Sequence, residues 1–287
     1  MELCTLSKLF SFQASRNNLT GGIPPSLRNL SSLVHFQVSS NNLEGNIPKS
    51  ICHLKSLSYF SVAVNKLNGM ISSPFYNISS ISVLGFTDNQ LSGSRPANIG
   101  LTLPNLQVSD IALNEFFGTI PSSLCNASRL QILDLGANNF AGSVPTNLGN
   151  LLHLEWLNIG PNKLGREDFL TSLRNCSKLR SLDFTSNQFK DVLPNSIGNL
   201  STQLHGLYFG RNQISGMIPA TLHNLINLVI LGMEGNLLAS VIPTYFGEFQ
   251  KMQRINLEGN RLSGQIPSSL GNLTKLGEIL LNDNNLE

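Results

Sequence analysis

Apolar residues recur along this chain in blocks of three, spaced three and then two apart, and an asparagine follows each block. Leu130, Leu133 and Leu135 form one such block, and Asn138 closes it. Phe140, Gly142, Val144, Pro145, Leu148 and Leu151 complete the cycle, and Leu154, Leu157, Ile159 and Asn162 begin the next. Residues two apart on a strand share a face, so the last two of each block point inward from a short strand. The pattern predicts one short strand per cycle, a turn at the glycine and proline, and an outer return segment. A unit this short buries too little alone and must stack on copies of itself.

The closing asparagine sets the register. It recurs as Asn17, Asn41, Asn65, Asn89, Asn114, Asn138, Asn162, Asn187, Asn212, Asn236, Asn260 and Asn284, with eight intervals of 24 residues and three of 25. Its amide is suited to bond free backbone groups of adjoining turns, so stacked asparagines should form a ladder. Residues eight, five and three before it enter the core, as Leu228, Leu231 and Met233 do ahead of Asn236. The glycine four residues on suits a backbone bend closed to side chains. The proline seven residues on fixes φ and ends regular pairing. That proline is replaced by Ser72 and Phe169 in two of the eleven complete repeats. The Phe169 repeat departs most: Arg166 stands at the glycine position and Cys176 at a core-leucine position. Its sequence predicts a locally different, helical outer segment, with Asp168 or Thr171 placed to cap it. The extra residues near Leu101-Thr102-Leu103 and Ser201-Thr202-Gln203 fall on the outer side, where insertions cost little.

The unit L-x-x-L-x-L-x-x-N-x-L-x-G-x-I-P resembles the plant-type leucine-rich repeat. The resemblance implies an α/β solenoid, a curved right-handed superhelix. Its parallel sheet would line the concave face, with 3-10, helical or irregular segments on the convex face. Residues 1–287 read as a single array of about twelve strands, with both ends falling inside a repeat: Cys4 and Leu6 fit a cycle whose strand lies before Met1, and Glu287 follows Asn284 closely. This reads as a piece of a longer array or a truncated gene product.

The phrase NRLSGQIPSSLGNL, Asn260 to Leu273, resembles the ectodomains of plant leucine-rich-repeat receptor-like kinases. FLTSLRNCSKL and LPNSIGNLSTQL resemble the branch holding the flagellin and elongation-factor-Tu immune receptors. A parent of that kind implies a cysteine-paired cap, a membrane span, a cytoplasmic Ser/Thr kinase and a co-receptor kinase of the same repeat type. The sequence contains no Gly-rich phosphate loop, V-A-I-K strand or H-R-D loop, so it predicts no phosphoryl transfer.

Composition narrows the classes further. A net charge of +2 with 13% charged residues and no basic run argues against nucleic acid. No apolar stretch is long enough for membrane insertion of this segment, and the first dozen residues lack a secretory apolar core. Cys4, Cys52 and Cys125 share one repeat position and Cys176 lies near it. The nearest same-position pair is two layers apart, roughly 10 Å at the strand spacing, beyond disulfide reach. They read as free thiols. His35, His53, His153, His205 and His223 have no partner at metal spacing. No catalytic residue, cofactor or metal is read.

Sequons occur at Asn18, Asn29, Asn77, Asn126, Asn175, Asn199 and Asn272, five of them twelve residues after the register asparagine. They point to glycosylation on the outer curve in a secreted setting, although the repeat phrase G-N-L-[ST] generates sequons by itself.

The variable inner face carries the candidate binding site. Six residues before the asparagine, Tyr59, Val83, Val108, Ile132 and Trp156 make five successive apolar, outward-pointing positions. Four before it stand Asp110, Asp134, Asn158, Asp183 and Tyr208. Contiguous exposed apolar surface marks interaction sites and Trp and Tyr are favoured anchors, while the same residues also simply suit strands. The three aspartates are expected on an open face, with no pocket to shift them. The reading is an extracellular module that binds a peptide or protein ligand with apolar side chains and a Lys or Arg, in immune or developmental signalling. A secreted inhibitor of a cell-wall hydrolase such as polygalacturonase is the alternative, together with a non-functional receptor remnant.

Overall fold

The computed structural model describes residues 5–166 and 168–287, without the side chain of Asp168. The Cys4 reading therefore lies outside the described residues. The chain divides into two compact units, Met1–Phe140 and Ala141–Glu287.

In the first unit six strands pair in parallel and in chain order: Ser11–Gln13, His35–Gln37, Tyr59–Ser61, Val83–Gly85, Val108–Asp110 and Ile132–Asp134. In the second the same holds for Trp156–Asn158, Ser181–Asp183, Gly206–Tyr208, Ile230–Gly232, Arg254–Asn256 and Glu278–Leu280. The register is in phase throughout, so equivalent repeat positions lie side by side. Leu57, Phe60 and Val62, eight, five and three before Asn65, are fully buried, and so are Leu228, Leu231 and Met233 before Asn236. Aromatic rings thicken this core. In the first unit Phe12, Phe36 and Phe60 stack at 5.7 and 5.5 Å. In the second Phe184 stacks on Phe209 at 5.6 Å.

Most of the register asparagines bond in the same way. Asn65 donates from Nδ2 to Val62 O and Ala63 O of its own layer and to Val38 O of the preceding one, at 3.0–3.1 Å. Its Oδ1 accepts from Leu43 N of the preceding layer at 2.9 Å. Asn41, Asn89, Asn114 and Asn138 repeat the acceptor bond in the first unit. Asn187, Asn212, Asn236, Asn260 and Asn284 repeat it in the second. Asn162 is buried and donates to Ile159 O at 3.0 Å. Asn17 bonds Ala14 O and Ser15 O of its own layer.

The backbone around the asparagine contains a feature that the repeat pattern does not spell out. The residue just before it is left-handed in layer after layer, including Val64 at φ 54° and Leu113 at φ 53°. The bend four residues after the asparagine is left-handed as well. Gly45 has φ 75°, and two of the three side chains that replace glycine, Arg166 at 72° and Ser240 at 96°, are held there too, while the third, Asp191, is not left-handed. The prolines then open 3-10 turns. Pro219 has φ −61° ahead of Ala220–Asn224, and Ser72 takes the same geometry at φ −63°.

The outer segment after Asn162 departs from its neighbours. Asp168–Ser172 is α-helical and runs into a 3-10 turn at Leu173–Asn175. Phe169, in the proline position, is fully buried and meets Phe184 edge-on at 5.8 Å, so burial of the ring replaces the fixed φ of proline. Thr171 lies inside the helix and its hydroxyl meets Ser196 Oγ at 3.0 Å, so it is not a cap; the Asp168 side chain lies outside the described residues. The extra residue near Leu101 is absorbed by a short helix, Ile99–Thr102, that leaves Leu101 exposed.

Candidate functional site

Positions six and four before the asparagine flank an inward residue, so they emerge on the opposite face of the strand sheet. In the first unit Tyr59, Val83 and Val108 are half-buried and Ile132 is 37% exposed. The apolar row is continued by His35, whose ring stacks on Tyr59 at 5.9 Å. In the second unit Trp156 is 45% exposed, while Ser181 and Gly206, in register beyond it, offer no bulk.

The polar row has a structural task that its sequence did not disclose. Asp134 Oδ1 accepts from Gly136 N at 3.0 Å, and Asn158 Oδ1 accepts from Gly160 N at 3.0 Å. Asp183 Oδ1 accepts from Thr185 N at 2.9 Å and Thr185 Oγ1 at 2.7 Å. These are Asx turns, in which a short acceptor side chain satisfies the backbone two residues on. Asp110 accepts instead from Thr87 Oγ1 of the preceding layer. The row thus helps to finish the strands as well as to charge the face.

Asp183 overturns the expectation of unshifted aspartates. Burial raises its carboxyl above the ordinary value, and Glu234 adds to the rise, against the two hydrogen bonds from Thr185. Tyr208 beside it is also raised, by burial and by Asp183, with Arg254 opposing. Glycines make room for these groups. A Cβ on Gly206 would sit 2.7 Å from Tyr208 Cε2, and one on Gly210 would sit 2.4 Å from Glu234 Oε1. The second unit therefore presents a phenol and two carboxylates over a floor without side chains. Arg254, at the edge, pairs with Glu278 at 2.9 Å on the surface.

All seven sequon asparagines are exposed, and six of them end a 3-10 turn: Asn29, Asn77, Asn126, Asn175, Asn199 and Asn272. Asn18 follows a register asparagine directly. Cys52 and Cys176 are free thiols, and burial pushes Cys176 up to about 11. Among the described residues no cluster of His, Cys, Asp and Glu could hold a metal ion, and no helix is long and apolar enough to cross a membrane.

The family model described as Leucine Rich Repeat matches residues 8–30, 32–54, 129–151, 178–200 and 251–273. The chain is built of leucine-rich repeats. Its repeats superpose on solved plant receptor ectodomains. A TDR receptor matches with a TM-score of 0.93 at 29% identity, over 99% of this chain and 49% of that one. PEPR1, solved with AtPEP1, matches with a TM-score of 0.89 at 32% identity, over 96% of this chain and 38% of that one. The plant peptide hormone receptor RGFR1, solved with RGF2, gives 0.78 at 26% identity, over 99% and 53%. The leucine-rich-repeat chain thus spans about half the length of these receptors or less. No curated protein sequence matches it.

Proposed function

We propose that this leucine-rich-repeat chain is a ligand-recognition segment of a plant receptor-kinase ectodomain, working on the extracellular side of the membrane. It takes an extended peptide on the outward face of its strands. A co-receptor of the same repeat type engages the bound complex, and a kinase elsewhere in the parent protein carries the signal. The observation that carries the reading is Trp156, a large aromatic left 45% exposed on a regular strand. Indole buries a large area at little entropic cost and is a favoured anchor. Tyr59, Val83, Val108 and Ile132 supply apolar contact in the first unit, beside Asp110 and Asp134. Asn158, Asp183 and Tyr208 supply polar contact in the second. The carboxylates favour a peptide with a Lys or Arg. Two of the similar receptors, PEPR1 and RGFR1, were solved with AtPEP1 and RGF2. Exposure of every sequon supports glycosylation and with it a secreted setting. The inhibitor reading has no observation in its favour.

The test is selection of a displayed library of extended peptides on the purified chain. Selected peptides should carry apolar residues and at least one basic residue. Trp156→Ala and Asp134→Asn should each weaken them about tenfold, the range expected when an interface anchor is lost. Asparagine keeps the acceptor oxygen of the Asx turn, so that variant removes charge without removing the turn. Leu152→Ser, on an exposed outer residue, serves as the control. Unchanged affinity in both face variants would reject the site.

A further inference from the structure

Arg95 is an exception to the repeat. It stands six residues after Asn89, where isoleucine or another apolar residue usually enters the core, and it is only 8% exposed. Its Nη1 donates to the Tyr76 hydroxyl at 2.7 Å, and its guanidinium lies 5.3 Å from the Tyr76 ring centre and 4.5 Å from that of Phe116. Nη2 is buried and has no hydrogen-bond partner among the described residues. Among the described residues no carboxylate pairs with Arg95. Arginine does not neutralise itself by losing a proton, and Tyr76 is no counter-charge, because burial holds its phenol above the ordinary value in spite of Arg95. The first unit thus encloses a full positive charge in an apolar core, an arrangement that is costly without compensation.

A second exception lies beside it. Ser109 occupies the position five before Asn114, where the repeat places a core leucine, and it is 3% exposed. The shortened side chain leaves a cavity of about 10 Å³ lined by Arg95, Ile99, Ser109, Ile120, Leu124 and Phe140 among others. That is room for one water-sized particle. We propose that Arg95 and this cavity form a buried site for a single monatomic anion of the halide class. The permanent charge selects an anion over a neutral guest, and the volume excludes carboxylates, phosphate and sulfate. The anion accepts a hydrogen bond from Nη2 and balances the buried charge, so the site acts as a structural ion-binding point within the first unit, separate from the ligand face.

The test compares melting temperatures of the full chain in sodium chloride and in sodium gluconate at equal ionic strength, since gluconate is too large to enter. Chloride should raise the melting temperature of the wild type by about 2 °C, as expected for a weak ligand in moderate excess. Crystals soaked in bromide should show an anomalous peak beside Arg95 Nη2. Arg95→Met should abolish both effects. Ser109→Leu, which fills the cavity with the usual repeat residue and keeps the arginine, should abolish the peak even if Arg95→Met does not fold. Equal melting temperatures in the two salts, with no bromide peak and a water in the cavity, would overturn the proposal. So would a chloride effect that persists undiminished in Ser109→Leu.

Discussion

Replacing Asn236 with alanine probes the asparagine ladder at its most enclosed rung, where the residue is 4% exposed. Four hydrogen bonds are at stake. Nδ2 donates to Phe209 O at 3.0 Å, Met233 O at 3.2 Å and Glu234 O at 3.3 Å, and Oδ1 accepts from Ile214 N at 3.0 Å. Alanine leaves the buried Ile214 N–H without a partner, which costs about 1–3 kcal/mol. The carbonyls lose a shared donor, and the trimmed amide leaves a small void. A total of roughly 3 kcal/mol follows from these orphaned groups. Asn236→Asp should be worse. It keeps an acceptor for Ile214 but turns a carboxylate oxygen toward three carbonyl oxygens. Asn227 makes one bond, from Nδ2 to Thr202 O at 2.7 Å at the surface, so Asn227→Ala should cost only about 1 kcal/mol and serves as the control. Guanidinium unfolding measures the global change. Stacked repeats can open locally, however, so exchange of the Ile214 amide proton should also be followed. It should speed up by about two orders of magnitude in Asn236→Ala, the equivalent of the same energy. Should Asn236→Ala cost no more than the control, with Ile214 still protected, the ladder would be an ornament of the fold and its buried amides would contribute no more than surface ones.

Two further outcomes are expected. Ser240 is held at φ 96°, a conformation that penalises any side chain. Ser240→Gly should raise stability by up to about 1 kcal/mol, the left-handed penalty less the extra chain entropy of glycine, and a lower melting temperature would contradict the strain argument. Asp183 has a raised folded pKa. The folded state therefore holds its proton more tightly than the unfolded chain does, so the carboxylate detracts from stability above its folded pKa. That loss should be relieved as pH falls through the folded pKa toward the unfolded value of about 3.9. A pH series of chemical denaturation should show this component in the wild type and not in Asp183→Asn, whose Oδ1 can still accept from Thr185; identical pH profiles would refute it.

The strands were legible because their signal is periodic and repeated. Leu57, Phe60 and Val62 announce themselves through spacing alone, and so does Asn65 through its interval. Features set by backbone conformation were hidden. Nothing about Val64 or Leu113 suggests a left-handed residue, since both are poor choices for it, and the stacked layers impose the conformation over local preference. Asp134 and Asp183 read as surface charge because hydrogen bonds to the backbone two residues on leave no periodic trace. Arg95 and Ser109 were missed for a different reason. Each is an ordinary residue in isolation, and only alignment of every layer against its neighbours marks them as paired departures from apolar core positions. Phe169 was visible as a missing proline, but its ring's burial became plain only with Phe184 and Phe189 packed around it. The outward residues could be enumerated from spacing, yet the difference between a half-buried Val83 and a protruding Trp156 depends on the bulk of the next strand's residue, Ser181 in the latter case.

The ladder bonds run one way along the chain. Every donation and acceptance that crosses between layers within a unit comes from the later asparagine to the earlier layer's backbone, as Asn284 serves Leu262 N and Leu257 O. Peeling away a later layer therefore takes its asparagine's bonds from the backbone of the layer that remains, whereas removing an earlier one leaves each remaining asparagine bonded to the carbonyls of its own layer, as Asn284 is to Leu281 O and Asn282 O. In its side-chain ladder, unlike in its two-way backbone pairing, the array has a direction.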